Sequence, residues 1–298
     1  MGEPLGCAGV PRDLGVAQGR AQAAAIRARV GRPCRWRRAP RALARLDRDL
    51  WRHHPQVAER LEGLALGARV PRRALLEALA GEAGMGAGAP QGGIALALAG
   101  GPDGGPLVAK LVGCGQTGLV LRRSRPEAGI AALEATLAWL PSALAGVNEA
   151  GLAVAVSAAV APPDPGEPCG VPALVLVQDC LQRFSSAEAA LDWCLKRPAG
   201  GATVILAADA QGRVLGAALA AGRRRALAPE DGVLVGSGPE PERAALAKAC
   251  REAPARDPSA LAAALAAASP GAIALCLDPT RRRLTLATWD TAPTSHSL

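Results

Sequence analysis

The chain has no tyrosine and a single phenylalanine in 298 residues. A core built without them rests on Ala, Leu and Val, and few side chains remain to stack on exposed bases, which disfavours nucleic acid as a partner. Long apolar runs are missing too. No stretch of about 18 uncharged apolar residues occurs, so no membrane span is expected. The first residues, Met1-Gly-Glu-Pro-Leu-Gly-Cys7, lack a basic segment followed by an apolar one, and no secretory signal is expected. The eight cysteines include no C-x-x-C pair and no zinc-like spacing. Cys180, Cys194, Cys250 and Cys276 fall inside apolar runs and read as buried thiols of a reduced, cytoplasmic protein.

What is present suits a folded domain. Half of the residues are apolar, which excludes global disorder and allows a large core. The charge is unevenly spread. Residues 1–80 carry 16 Arg and 7 acidic side chains, a net of +9, while the remaining 218 carry a net of −1. Arg41, Arg45, Arg48 and Arg52 recur at helical spacing opposite Leu43, Leu46 and Leu50. The stripe is either a solvated helix face or a dock for a polyanion, and Asp47 and Asp49 weaken its field.

Prolines and glycines divide the chain. A helical region spans about 13–80, broken at Pro33, Pro40, Pro55 and Pro71, followed by a Gly-rich link over 84–90. Ile94–Ala99 and Leu107–Val112 read as strands of a hairpin across Gly100-Gly-Pro-Asp-Gly-Gly105. Residues 129–140 read as a short amphipathic helix. Asn148-Glu-Ala-Gly151 is a turn into the strand Leu152–Ser157, and residues 161–168 are an exposed loop. Helices are expected at 173–184 and after a capping box, Ser185-Ser-Ala-Glu188. Strands at 203–208, 213–219 and 232–236 precede helices at 241–252 and 259–268, then a hairpin of 272–277 with 283–288. The polar tail after Asp290 reads as frayed. Antiparallel hairpins set apart from helix pairs give an α+β fold.

Gly9-Val-Pro-Arg-Asp-Leu-Gly-Val-Ala-Gln-Gly19 resembles the opening of the C45 peptidase family, which includes the isopenicillin N acyltransferases. Glu62-Gly-Leu-Ala-Leu-Gly-Ala68 resembles its second block, and Gly146-Val-Asn-Glu-Ala-Gly-Leu-Ala-Val154 is the nearest match. Gly170-Val-Pro172, the helix through Ser185–Leu195, Leu206-Ala-Ala-Asp-Ala-Gln-Gly212 and Leu275-Cys-Leu-Asp-Pro279 follow in the family's order. The resemblance implies a four-layer αββα sandwich of the N-terminal-nucleophile hydrolases. It implies one domain over residues 1–290, with a helical part over 1–83, a sheet core over 93–290 and a tail at 291–298. Members cut themselves before a Cys, whose thiol then attacks an amide or thioester carbonyl while its new amino group serves as base.

At those points this chain departs. Where the family reads Gly-Cys-Thr, Gly92, Gly93 and Ile94 stand. Lys110-Leu-Val-Gly113 replaces an expected Lys-Asn-x-Asp, Gly216-Ala-Ala-Leu219 holds no acid, and Gly236-Ser237 replaces an Asn-His pair. Gly93 thus marks a vacant nucleophile position. Gly92, Ile94 and Asn148 are left as the residues around a pocket. Asn148 is either an oxyanion donor or a turn residue. Cys114 is either a displaced nucleophile or a bystander, since no His stands near it in sequence. His53 and His54 precede Pro55 without an acidic or Cys ligand at metal spacing, so they read as structural or exposed. Lys110 either lines the old pocket or is an exposed strand-end residue.

The expected function is that of an amide-hydrolase-like protein without its nucleophile, acting by binding a small amide, peptide or acyl ligand, or by pairing with itself or an active homologue. The alternative is a working amidase or acyltransferase that uses Cys114 or a bound water. No cofactor or metal is expected.

Overall fold

Proline sets where most of the N-terminal helices begin. In a computed structural model, helices α1 (Pro11–Ala21), α3 (Pro40–His53) and α4 (Pro55–Ala68) each start on a proline, whose missing N–H costs nothing at a first helical position. Helix α2 (Ala23–Val30) lies between the first two, and α5 (Arg72–Ala83) follows Pro71. The structure describes residues 2–31, 40–83, 93–100, 104–113, 118–157, 171–197, 199–200, 202–220, 223–236, 240–252, 257–269 and 271–298. On α3, Leu43, Leu46 and Leu50 are buried and Arg41, Arg45, Arg48 and Arg52 face solvent. The Arg stripe is therefore exposed along the outer side of an amphipathic helix. Asp47 beside it accepts two hydrogen bonds from Arg72, at 2.6 and 2.9 Å.

Helices α1 and α4 approach as closely as backbones can. A Cβ built on Gly15 would lie 2.1 Å from the Arg60 carbonyl oxygen, and one on Gly63 only 1.9 Å from the Arg12 carbonyl oxygen. Gly19 and Gly67 repeat the contact one turn on, against the carbonyls of Leu64 and Val16. The two glycine-containing blocks singled out in the sequence, some 50 residues apart, thus interlock in space.

Two sheets form the centre. The larger has eight strands in the order β1 (Leu5–Gly9), β4 (Leu119–Pro126), β5 (Ala132–Leu137), β6 (Ala145–Asn148), β7 (Leu152–Ser157), β8 (Thr203–Asp209), β9 (Val214–Ala220) and β10 (Arg223–Leu227). The smaller has six, in the order β11 (Val233–Val235), β2 (Ala95–Leu98), β3 (Leu107–Gly113), β12 (Ala272–Asp278), β13 (Arg283–Thr288) and β14 (Thr291–Ser297). All neighbours are antiparallel except β1 with β4. Alternation along each strand divides the core. Val108, Val112, Ala153, Ala155, Leu206 and Leu275 pack between the sheets. The opposite face of the large sheet carries α6 (Ala173–Arg183) and α7 (Ala187–Lys196). The opposite face of the small sheet carries α8 (Glu240–Glu252) and α9 (Pro258–Ala268). The result is a four-layer αββα sandwich of α+β class, with α1–α5 packed beside it.

A buried polar network joins those helices to the large sheet. Arg122 donates to Glu134, to Gln18 Oε1 at 2.7 Å and to Gln178 Oε1 at 2.6 Å. Gln178 and Ser124 in turn donate to Glu134, at 2.6 and 2.8 Å, and Arg60 donates to Ser124 Oγ at 2.9 Å. Burial alone raises the Glu134 carboxyl, but Arg122 and Arg60 hold it below the usual carboxylate range. Burial lowers Arg60 to about 10, helped by the like charge of Arg122.

Several expectations need correction. Residues 132–137 are strand β5 and not part of a helix, because Glu134 is no solvent face: it is buried on Arg122 while Leu133 and Ala135 fill the inter-sheet core. The tail after Asp290 is not frayed, since Thr291–Ser297 pairs with β13, fixed by Thr285 Oγ1 to Ser295 Oγ at 2.7 Å. The part before residue 84 is not purely helical, because β1 joins the large sheet. The cap of α7 is Ser186, whose Oγ accepts from the Ala189 N–H, one residue later than the Ser185 box; Glu188 turns to Arg213 instead. The loop expected at 161–168 lies outside the described residues.

The α1–α4 contact makes a sharp prediction. Gly63→Ala forces a methyl into the Arg12 carbonyl and should cost about 1–3 kcal/mol. Urea unfolding measures it, and an unchanged midpoint would contradict the contact.

Candidate functional site

The start of β2 is where a nucleophile is expected. The Leu111 N–H donates to the Ile94 carbonyl at 2.9 Å, and Ala95 pairs with Lys110. This register carries the Leu111 carbonyl onto Gly93. A Cβ at position 93 would lie 1.6 Å from that oxygen, far inside any van der Waals contact. No side chain is merely missing there, because backbone occupies the place where one would begin.

The neighbouring positions behave differently from the expectation. Ile94 does not line the cavity at the end of the sandwich: it belongs to the buried apolar cluster with Leu246 and Leu261 under α8 and α9. Asn148 is no oxyanion donor. Its amide nitrogen donates to the carbonyls of Leu181 at 2.9 Å and Phe184 at 2.8 Å, and its Oδ1 accepts from the Leu152 N–H at 2.9 Å. Both of its N–H bonds are used, so it fastens the turn to the end of α6. Gly92 and Cys114 lie outside the described residues.

Lys110 is not the exposed strand-end residue that is its plainer reading. It is 1% exposed and shares the inner strand face of Val108 and Val112. Its Nζ donates to the Val156 carbonyl at 2.7 Å and the Gly93 carbonyl at 3.4 Å. Burial lowers its pKa to about 7. Both of these partners are carbonyls; among the described residues no hydroxyl or thiol is bonded to this amine, as a base for a nucleophile requires.

One site residue was not found in the sequence. Ser157, at the end of β7, is fully buried; its Oγ accepts from the Ala95 N–H at 3.1 Å and its carbonyl accepts from Thr203 Oγ1 at 2.6 Å. The place of a Cβ on Gly236 lies 2.5 Å from Ser157 Oγ and 2.9 Å from the Ala95 carbonyl, so Ser157 explains why that position holds glycine. A lone Ser closing an Ala-Val strand carries no signal that could have singled it out.

Gly236 also borders a cavity of about 540 Å³ at one end of the sandwich. Val204 and Ala218 of the large sheet and Leu234 of the small one line it, and Arg225, Arg243 and Glu230 bring charge to it. The size falls within the range of small-molecule sites. Val204 pairs in register with Ser157, so the cavity abuts the strand end that carries Ser157.

The His pair divides. His54 is buried, and its Nδ1 lies 2.7 Å from Asp179 Oδ2 on α6, a structural tie between the α3–α4 corner and that helix. Among the described residues no three His, Cys, Asp or Glu side chains gather to hold a metal ion. No described helix is long and apolar enough to cross a membrane.

Lys110 generates a pH prediction. Its proton is held more weakly in the folded chain than in the unfolded one, so between about 7 and the ordinary 10.5 the unfolded state binds more protons. Lys110 therefore contributes stability that grows with pH across that window. An opposite contribution comes from the buried thiols: burial raises the pKa of Cys7 and Cys276, and the hydrogen bond with Cys194, then burial, raises that of Cys180. Comparison with a Lys110 variant isolates its share. The stability difference between the parent and Lys110→Met should shift in the parent's favour as pH rises from about 7 towards 10.5; parallel pH profiles of urea midpoints in the two proteins would contradict a buried, weakly basic Lys110.

No protein-family model and no curated protein sequence matches the chain. Solved structures do. The N-acylethanolamine-hydrolyzing acid amidase (NAAA) ortholog of Caenorhabditis elegans aligns with a TM-score of 0.50 at 10% identity, covering 62% of this chain and 93% of that one. Penicillin V acylase from Agrobacterium tumefaciens aligns at 0.43 and 15% identity, over 69% and 86%. A mutant of the conjugated bile acid hydrolase from Clostridium perfringens aligns at 0.40 and 11%, over 68% and 92%. The likeness to the nematode structure shows the fold, the αββα sandwich of the N-terminal-nucleophile hydrolases.

Proposed function

We propose that this chain is a C45-like member of the amide-hydrolase fold that binds a small amide, peptide or acyl ligand and performs neither self-cleavage nor covalent thiol catalysis. The observation that carries this reading is the 1.6 Å approach between a Cβ at position 93 and the Leu111 carbonyl oxygen. Covalent catalysis is not partly kept once the attacking atom is gone; what remains is binding, with several orders of magnitude of rate lost. The amine of Lys110 is bonded to carbonyls and the amide of Asn148 is fully used, so neither takes over the lost chemistry. The nematode protein that shares the fold is named as an amidase, which supports an amide- or acyl-shaped ligand for the cavity between β8–β10 and α8. The interlock of Gly15 and Gly19 with Gly63 and Gly67 supports the C45-like lineage, because it joins two of the blocks that carry the resemblance.

The purified protein should run as one chain of full-length mass. It should release nothing from acyl thioesters or simple amides, while an amide or acyl ligand raises its melting temperature. Ala218→Trp, which fills the cavity, should remove that rise. Two fragments parted near residue 92, or turnover that disappears in Cys114→Ala, would contradict the reading.

A further inference from the structure

Two free thiols face each other on the helical side of the large sheet. Cys180 on α6 and Cys194 on α7 are fully buried, with their Sγ atoms 3.5 Å apart. Cys180 Sγ also contacts the Ala190 carbonyl at 3.6 Å, so the first turn of α7 lies over it. A disulfide bond is about 2.05 Å long, so the sulfurs need to close by roughly 1.5 Å. Such a displacement is within the reach of side-chain adjustment on two packed helices.

The pair sits at a junction. On α6, Gln178 belongs to the Arg122–Glu134 network, Asp179 holds His54, and the carbonyl of Leu181 holds Asn148. On α7, the Ala187 N–H donates to Asp209 Oδ2 at 2.9 Å, and the Leu195 carbonyl accepts from Arg224 of β10 at 3.0 Å. A bond between residues 180 and 194 joins the helix that anchors the N-terminal half to the helix that steadies β8 and β10.

We propose that Cys180 and Cys194 are a redox modification site, converted to a disulfide by an oxidant of the peroxide class. One thiol gives two electrons to the peroxide, becoming a sulfenic acid and releasing water. The sulfur of the second thiol then displaces the hydroxyl as a second water, and the S–S bond forms. The closed loop shortens the unfolded chain's freedom and the native helices keep their places, so the oxidised form is the more stable one. In the reduced state the hydrogen bond between the sulfurs, and then burial, push the Cys180 thiol up, which slows its reaction.

The folded protein is treated with hydrogen peroxide, blocked, and digested with trypsin without reduction. Arg183 lies between the two cysteines, so the digest separates them; the peptide that ends there also holds Cys169, and fragment-ion sequencing of the linked pair assigns the bond to Cys180. The expected result is a Cys180–Cys194 peptide pair lighter by two hydrogens, together with a melting temperature several degrees above that of the dithiothreitol-treated protein. Both effects should vanish in Cys180→Ser and in Cys194→Ala. A link that forms only after denaturation, or pairing of either residue with another cysteine, overturns the site. A linked protein that melts no higher than the reduced one overturns the stabilising role.

Discussion

The carbonyl oxygen of Leu111 stands where a side chain at position 93 would start, and the functional account depends on that one steric fact. It follows from register. Pairing of Ala95 with Lys110, and the hydrogen bond from the Leu111 N–H to the Ile94 carbonyl, draw β3 across the start of β2. Once the strands are set so, glycine at 93 is the only residue that fits without moving the hairpin. The same register turns Lys110 inward, where its amine takes the Gly93 and Val156 carbonyls, and brings the Ala95 N–H to Ser157. Among the described residues, these polar groups around Gly93 are paired with one another.

Away from that point the fold is held by buried polar ties as well as apolar layers. Arg122, Glu134, Gln178 and Gln18 bind α1, β4, β5 and α6 together, and His54 with Asp179 adds α3 and α4 to the same helix. Buried ions of this kind add little net stability, but removing one partner leaves the other uncompensated in a dry interior. Their effect is to fix which helix meets which strand. The glycine contact between α1 and α4 acts likewise, by letting two helices meet at a distance that any larger residue forbids. A core of Ala, Leu and Val, poor in aromatic shapes, gives little specificity of its own, and these ties supply it.

Punctuation residues made much of this legible in the sequence. The prolines at 11, 40 and 55 start helices, Asn148-Glu-Ala-Gly151 turns as expected, and the hairpins at 95–113 and 272–288 fall in place. What stayed hidden depends on partners distant in sequence. Strand β4 carries no hydrophobic strand signal through Arg122, Arg123, Ser124 and Arg125, because its polar residues are satisfied only when Glu134 and Arg60 meet two of them in the interior. Strand β5 imitates a helix because Leu133 and Leu137 stand four apart with an acid between them. Strands β10 and β14 are edges, where polar and charged side chains discourage further pairing and thereby erase the hydrophobic signal of a strand. At the site, Asn148 was visible as a turn residue from its local motif. The burial of Lys110 was not, since the Val156 carbonyl that accepts its hydrogen bond lies 46 residues away.

Placing a thiol at position 93 tests the central claim most directly. Gly93→Cys returns the sulfur that the C45 family uses, but the account predicts that it collides with Leu111. The variant should remain one chain by intact mass, show no amide turnover and unfold at lower urea than the parent. A variant that cuts itself between residues 92 and 93 and then cleaves amides would show that the catalytic frame is intact and only its side chain was lost.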